Sequence, residues 1–433
     1  MFILASSAST VHPLALSPFV LLLGMIALMP FINRHWWEHH YPKVAIALGL
    51  ISVIYYGFAL NNWTRVLHTA HEYVSFIALI GSLFVVAGGI HIVVKGEATP
   101  FRNCIYLLIG AILANFIGTT GASMLLIRPW IRTNRYRITT FHIVFFIFIV
   151  SNVGGCLTPI GDPPLFLGYL KGVPFWWVLE HCWEAWMISL FGLLAIFYCF
   201  DRHNFLRAPK EVREMETANE EWKIGGLHNL FFLAVILVAV FISQPLFLRE
   251  ALMIGAAIAS YYLTPNYVHR ANDFTFMPIK EVSWLFIGIF ATMMPALDYL
   301  SVHAQQGNIP LHSEMQYYWL TGMLSGILDN APTYLTFLAA SLGTFGLSME
   351  KPSDVMIYIT QHDHHLVAIS LGAVFFGAMT YIGNGPNFMV KSIAETAEVK
   401  VPSFFGYFLK YSVPILLPIL LIISLIFFYF RFF

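Results

Sequence analysis

Apolar runs of about twenty residues, the length an α-helix needs to cross the hydrocarbon of a bilayer, recur from one end of this 433-residue chain to the other. Only 11% of the residues are charged and 58% are hydrophobic, whereas a soluble domain carries about 25% charged residues. The surface therefore cannot be mainly wet, and the sequence predicts an all-α polytopic membrane protein. Net charge is zero, which gives no case for a nucleic-acid partner. Cys104, Cys156, Cys182 and Cys199 lie in or beside apolar runs without metal-site or disulfide spacing, and read as small core hydrophobes. The first run lacks a basic region and a cleavage site, so it is expected to stay in place as a helix.

Ten full spans are predicted, near 14–32, 44–60, 72–94, 140–170, 175–200, 227–246, 249–265, 281–298, 366–391 and 404–430. Two more apolar segments, 103–131 and 315–345, are interrupted near their centres by "GTTGAS" (118–123) and "LDNAPT" (328–333). Reading each as a hairpin that enters and leaves on one face, with the N-terminus outside, sorts the basic residues. All of the 23 Lys and Arg except Arg65, Lys171, Arg249, Lys351 and Arg431 then fall inside, as short cytoplasmic loops require. A single crossing in either segment would flip every later loop and spoil the asymmetry. Two crossings per segment would leave halves of about fifteen residues, short for a span. The charged stretch 201–226 is then a cytoplasmic linker between a first transmembrane repeat, 1–200, and a second, 227–433. Both termini are expected outside.

Five spans and a re-entrant hairpin per half force the halves to run upside down relative to each other. "TPIGDPPLFL" (158–167) matches "TYIGNGPNFM" (380–389), "GTTGAS" stands opposite "LDNAPT", and "VSF" (74–76) opposite "VSW" (282–284), all in the same order. Two inverted-topology repeats with broken helices at the midplane are the signature of secondary transporters. Irregular backbone at that depth survives only where protein or a water-filled cavity satisfies it, so these interruptions are expected to face a central site.

Asp162 and Asp329 are the only carboxylates placed at membrane depth, where a charge costs at least about 2.5–3.5 kcal/mol on insertion scales. Around them stand Thr119, Thr120, Ser123, Asn152, Thr158, Asn330, Thr333, Thr380, Asn384 and Asn387. Carboxylate, hydroxyl and amide oxygens suit a hard cation, and a carboxylate also takes a proton, so one site could hold either. Both aspartates also sit where a helix N-cap belongs. "HDHH" (362–365) has metal-ligand residues but reads as a solvated outer loop. His91 and His142 lie at span ends, where packing between helices is their usual role.

At "SNVGGCLTPIGDPPLF", "LDNAPT" and "YIGNGPNF" the sequence resembles the ion transporter superfamily, and within it the NhaD-type sodium/proton antiporters, relatives of arsenite and dicarboxylate carriers. The resemblance spans nearly the whole chain. It implies a cation site built from a hairpin tip and a broken helix in each repeat. Carried over by motif, that site comprises Thr119, Thr120, Asn152, Gly155, Thr158 and Asp162 from the first half. The second half supplies Asp329, Asn330, Thr333, Thr380, Asn384 and Asn387. The resemblance further implies a homodimer in the cytoplasmic membrane. Where the cation-exchanging branch often carries an Asp-Asn pair at the first hairpin, this chain has Thr119-Thr120, one carboxylate fewer.

The leading expectation is Na⁺ or Li⁺ export against inward protons, with these ions as substrates, the bilayer as partner and no cofactor. The alternative is a cation- or proton-coupled carrier of a small anion such as a dicarboxylate, citrate or arsenite. Half-helix N-termini favour it, while the absence of Arg or Lys at the predicted depth speaks against it. A remote alternative is an intramembrane aspartyl protease, from "GD" (161–162), Asp329 and "PAL" (295–297), but these pieces stand in the wrong order. A non-enzyme is expected.

Overall fold

The computed structural model describes residues 11–93, 98–207, 223–242 and 244–431. Most of the 201–226 linker, and the termini themselves, lie outside the described residues. Eight described helices are long and apolar enough to cross a membrane: Pro13–Ile32, Arg34–Ala59, Trp63–Gly88, Pro100–Thr133, Thr140–Leu157, Trp177–Arg207, Met277–Gln305 and Phe404–Tyr429. Asn229–Val240, Leu248–Leu263 and Asp363–Phe376 are shorter apolar helices. The protein is an all-α polytopic membrane protein.

Helix starts are set by caps rather than by the edge of the apolar run. The span expected from 44 begins at Arg34, because the Asn33 side chain accepts from Trp36 N at 3.1 Å. The span expected from 72 begins at Trp63, where Asn62 accepts from Arg65 N at 3.1 Å, and it stops at Gly88. An Asn at the N-cap satisfies an orphan N–H wherever hydrocarbon begins. The segment after Gly88 forms a short strand, His91–Val93, antiparallel to Lys223–Gly225 at the far end of the linker. Neither strand was foreseen.

Both interrupted segments fold back on themselves. As an unbroken helix, Pro100–Thr133 would hold Asn103 and Asn134 roughly 46 Å apart, yet their side chains hydrogen-bond at 2.8 Å. Tyr106 Oη likewise donates to Leu126 O at 2.7 Å. The reversal falls on Gly118, at φ 73° and ψ 155°, a conformation that glycine alone adopts without strain. The second hairpin turns between Ser325 and Asn330, and its arms Glu314–Ser325 and Asn330–Thr344 close with Tyr317 Oη 3.2 Å from Thr344 Oγ1.

The expected spans 140–170 and 366–391 are both broken. The first runs as Thr140–Ile149, a 3₁₀ turn Val153–Leu157, a tight turn over 158–162, and a helix Pro163–Leu170. The second runs as Asp363–Phe376, a 3₁₀ turn Gly377–Met379, a bent stretch over 380–384, and a helix Gly385–Thr396. Residues 143–150 are apolar and fully buried, as a helix surrounded on all sides must be. This burial puts the first break at the centre of the molecule.

Several polar groups sit differently from expectation. The "HDHH" stretch is no solvated loop. His362 precedes the helix starting at Asp363 and stacks on Phe345 with ring centroids 3.5 Å apart, and His365 is buried. Asp162 and Asp329 are not alone among carboxylates within helices. Glu72 is buried inside Trp63–Gly88, because that helix starts earlier than its apolar run. Asp201 is buried, paired with Arg137, and accepts from Asn103 at 2.9 Å with His142 Nε2 at 3.0 Å. His142 is therefore packed between helices, while His91 meets Asn272 Oδ1 at 2.8 Å.

Candidate functional site

The two breaks are built alike, residue for residue. Thr158 Oγ1 donates to Asn115 O of the first hairpin at 2.6 Å and accepts from Gly161 N at 3.1 Å. Thr380 Oγ1 donates to Gly326 O of the second hairpin at 2.7 Å and accepts from Gly383 N at 3.2 Å. Each threonine thus ties its break to the neighbouring hairpin while closing a tight turn. The turns are dense enough to exclude side chains. A Cβ on Gly155 would stand 2.7 Å from Gly161 O, and one on Gly383 would stand 2.6 Å from Gly377 O. "GCLTPIG" and "GAMTYIG" are therefore one local solution used twice.

Asp162 is almost fully buried and gathers three donors from three different segments. Thr119 Oγ1 donates to its Oδ1 at 2.9 Å and Asn384 Nδ2 to the same oxygen at 3.0 Å, while Asn330 Nδ2 donates to Oδ2 at 2.5 Å. Its side chain makes no cap hydrogen bond to its own helix, so the flanking prolines do not give it a structural post. Asp329 does hold such a post: its Oδ1 accepts from Ala331 N at 3.0 Å, and its carbonyl accepts from Thr333 Oγ1 at 2.9 Å. Asp329 is half-buried beside the Asn330 that reaches Asp162.

A belt of asparagines joins the halves. Asn152 Nδ2 donates to Asn387 Oδ1 at 2.7 Å, and Asn384 Nδ2 lies 3.2 Å from Asn152 Oδ1. Asn387 Nδ2 donates to Gly377 O and Thr380 O at 2.8 and 2.9 Å, holding the second break in shape. Ser123 Oγ meets Ser151 Oγ at 2.7 Å. Thr120 does not join these bonds. It lines a cleft beside Thr119 and Asp162, walled on the far side by Leu79, Ile80 and Leu83. Of the motif positions, Thr119, Asn330 and Asn384 touch Asp162. Asn152, Gly155, Thr158, Thr333, Thr380 and Asn387 shape the backbone around it.

Asn115 was not anticipated. Its Nδ2 donates to Gly154 O at 2.7 Å and its Oδ1 accepts from Leu157 N at 2.9 Å, so it carries the polar backbone of the first break. Its place three residues before "GTTGAS" in the first hairpin was the available signal.

Four helix N-termini meet here. Thr119 opens the second arm of the first hairpin, Asp162 precedes Pro163–Leu170, Asn330 opens Asn330–Thr344, and Asn384 precedes Gly385–Thr396. Each carries about half a positive charge, so together they offset roughly two negative charges, which Asp162 and Asp329 supply. Among the described residues, no side chain bonded to Asp162 is basic. One acceptor at the centre is unused: the buried Asn330 Oδ1 has no hydrogen-bond partner among the described residues. An unpaired buried carbonyl next to a carboxylate costs about 1–3 kcal/mol, and a cation or a proton donor would relieve it.

Among proteins of similar sequence are a 46 kDa membrane protein of Mycobacterium leprae and two transporters of Mycobacterium tuberculosis. The first is 24% identical over 327 residues, covering 71% of this chain and 72% of the relative. One M. tuberculosis protein, named an uncharacterized transporter, is 24% identical over 337 residues, covering 74% and 75%. The other, named likewise, is 25% identical over 360 residues, covering 78% and 79%. The protein is a multi-pass membrane transporter rather than an enzyme. A family profile matches residues 8–428, and the chain belongs to that family, described as "Putative citrate transport".

Proposed function

We propose that the protein is a cation- or proton-coupled carrier of a small organic anion of the citrate class, working by alternating access in a cytoplasmic membrane. The supporting observation is the meeting of four helix N-termini on one buried carboxylate. With both aspartates ionised, helix ends and carboxylates roughly cancel and an anion gains little. Each cation or proton that loads the site adds one positive charge to a low-dielectric pocket, where charges interact far more strongly than in water. The helix N-termini then favour an anion. Coupling follows from this balance. The anion binds well only after the cation, and an empty or half-loaded site is costly to move.

Asp162 is the loading carboxylate in this reading, with Asn330 Oδ1 and Thr119 as further oxygen ligands. The Na⁺/H⁺ antiport expected from the sequence remains the second reading. The absence of any basic side chain on Asp162 among the described residues favours it, because a polyanion ordinarily meets Arg or Lys. The inverted arrangement of the halves belongs to the proposal too, supported by the equivalence of the two breaks.

Uptake of radiolabelled citrate into proteoliposomes under imposed Na⁺, Li⁺ or pH gradients tests the proposal. Gradient-driven citrate accumulation is expected. A dye-reported exchange of Na⁺ for H⁺ with no anion uptake would replace it with the second reading.

A further inference from the structure

A second constellation of charge lies away from the Asp162 site. Arg65 is buried and pairs with Asp298 at 3.1 Å and Glu350 at 2.9 Å. Lys171 is buried and pairs with Glu72 at 2.7 Å and Glu350 at 2.8 Å. His68 stands 3.4 Å from Glu72 and 3.7 Å from Glu350, and Tyr56 donates to Asp298 at 2.6 Å.

These residues belong to two groups of elements. Tyr56, Arg65, His68, Glu72 and Asp298 lie on Arg34–Ala59, Trp63–Gly88 and Met277–Gln305, which pack on one another. Lys171 and Glu350 are carried by the elements that build the site. Lys171 ends Pro163–Leu170, the helix that Asp162 begins, and Glu350 follows the hairpin arm that Asn330 begins. Those two helices also pack together. Asp162 and Lys171 are thus the two ends of one short rod, roughly 13 Å long.

The pairing pattern is specific. Arg65–Asp298 lies within the first group and Lys171–Glu350 within the second, whereas Arg65–Glu350 and Lys171–Glu72 cross between them. Removing one partner from a buried ion pair leaves an uncompensated charge, which is the costly case. Here the two groups can part without that cost to either cation, because each keeps its partner within its own group. What is lost is the bonds between groups, together with the packing of Asn330–Thr344 on Met277–Gln305 and of Pro163–Leu170 on Trp63–Gly88. We infer that Glu72, Lys171, Arg65 and Glu350 form an ionic latch that holds the site-bearing elements against the other helices in this conformation and opens in each transport cycle. The inference needs a transporter whose site elements move. It does not depend on which ion or anion is carried.

The test uses the full-length protein in a background lacking the four native cysteines, with a reporter Ile80→Cys in the wall of the Asp162 cleft. Labelling of the reporter by a water-soluble maleimide reads the position of the site elements. Glu72→Gln and Lys171→Gln should each change the labelling rate several-fold in the same direction, and the double variant should change it no further. Lys171→Arg should stay near the parent, and so should Asp298→Asn, which breaks a pair within one group. Glu350→Gln, from a loop, gives the same readout if a buried substitution fails to fold. Unchanged labelling in Lys171→Gln, Glu72→Gln and Glu350→Gln would overturn the latch, and so would an equal shift in Asp298→Asn.

Discussion

Asn384 donates to Asp162 at 3.0 Å across 222 residues of sequence, and these are the very positions that the match of "TPIGDPPLFL" with "TYIGNGPNFM" sets opposite each other. One stretch carries a carboxylate there and the other an amide. The centre of the molecule therefore holds a complementary pair instead of two charges that would repel. Removing the amide with Asn384→Ala takes a donor from Asp162 and leaves Ser151 O, 3.2 Å from the amide, less well satisfied. Such a loss costs about 1–3 kcal/mol when buried. Thermal unfolding should report a loss of that order, and apparent ion affinity should weaken with it.

The tight turn of the first break predicts an asymmetry between matched glycines. Gly155→Ala would bring its methyl to 2.7 Å from Gly161 O, whereas at Gly377 the nearest atoms are 3.0 and 3.3 Å away. Overpacking a well-filled core costs about 1–3 kcal/mol. Gly155→Ala should lower stability by that amount and Gly377→Ala by clearly less, measured by unfolding in the same detergent. Equal losses at both positions would contradict the packing described.

The fold was legible in the sequence wherever hydrocarbon dictates it. "GTTGAS" and "LDNAPT" marked both hairpins and "TPIGD" and "TYIGN" both breaks, because irregular polar backbone inside an apolar run has few explanations. Helix starts were not legible. Asn33 and Asn62 set them in polar flanking sequence, which apolar length does not register. That error set Glu72 at the very edge of its span and left Arg65 and His68 outside it, which hid the latch. Asp162 and Asp329 looked alike as helix starts, and only geometry separates them. Asp329 spends its side chain on Ala331 N, while Asp162 faces Thr119, Asn330 and Asn384.

The charge layout predicts which face each loop meets. Asp201 and Lys171 flank opposite ends of Trp177–Arg207, and Trp177 to Asp201 alone spans roughly 36 Å at ~1.5 Å per residue. Cysteines placed at Arg202 and Gln306, both exposed, should be labelled by impermeant reagents from opposite sides, with Arg202 inside. Labelling of position 202 from outside would overturn the orientation and leave the fold intact.

Glu350 sets the acid behaviour of the latch. Burial raises its carboxyl pKa, but Arg65 and then Lys171 outweigh that and hold it at about 2, below the ordinary 4.5. A depressed carboxylate contributes stability that is fully present above 4.5 and is lost as pH falls toward about 2. Stability of the wild type relative to Glu350→Gln should therefore be constant above that upper value and should narrow in acid. A difference that changed at neutral pH would assign the titration to another group.

In the proposed cycle loading of Asp162 admits the anion, and direct binding tests this best. Equilibrium binding of radiolabelled citrate to purified protein is measured with and without Na⁺, over a range of pH, for wild type and Asp162→Asn. Wild type should bind citrate only when Na⁺ or protons load the site, with apparent Na⁺ affinity falling about tenfold per pH unit where one proton competes. The Asn variant mimics a neutralised carboxylate, so it should bind citrate with little dependence on Na⁺ and transport it without coupling. Wild-type protein that binds Na⁺ in competition with protons and never binds citrate, together with an Asp162→Asn variant that binds neither, would contradict the account.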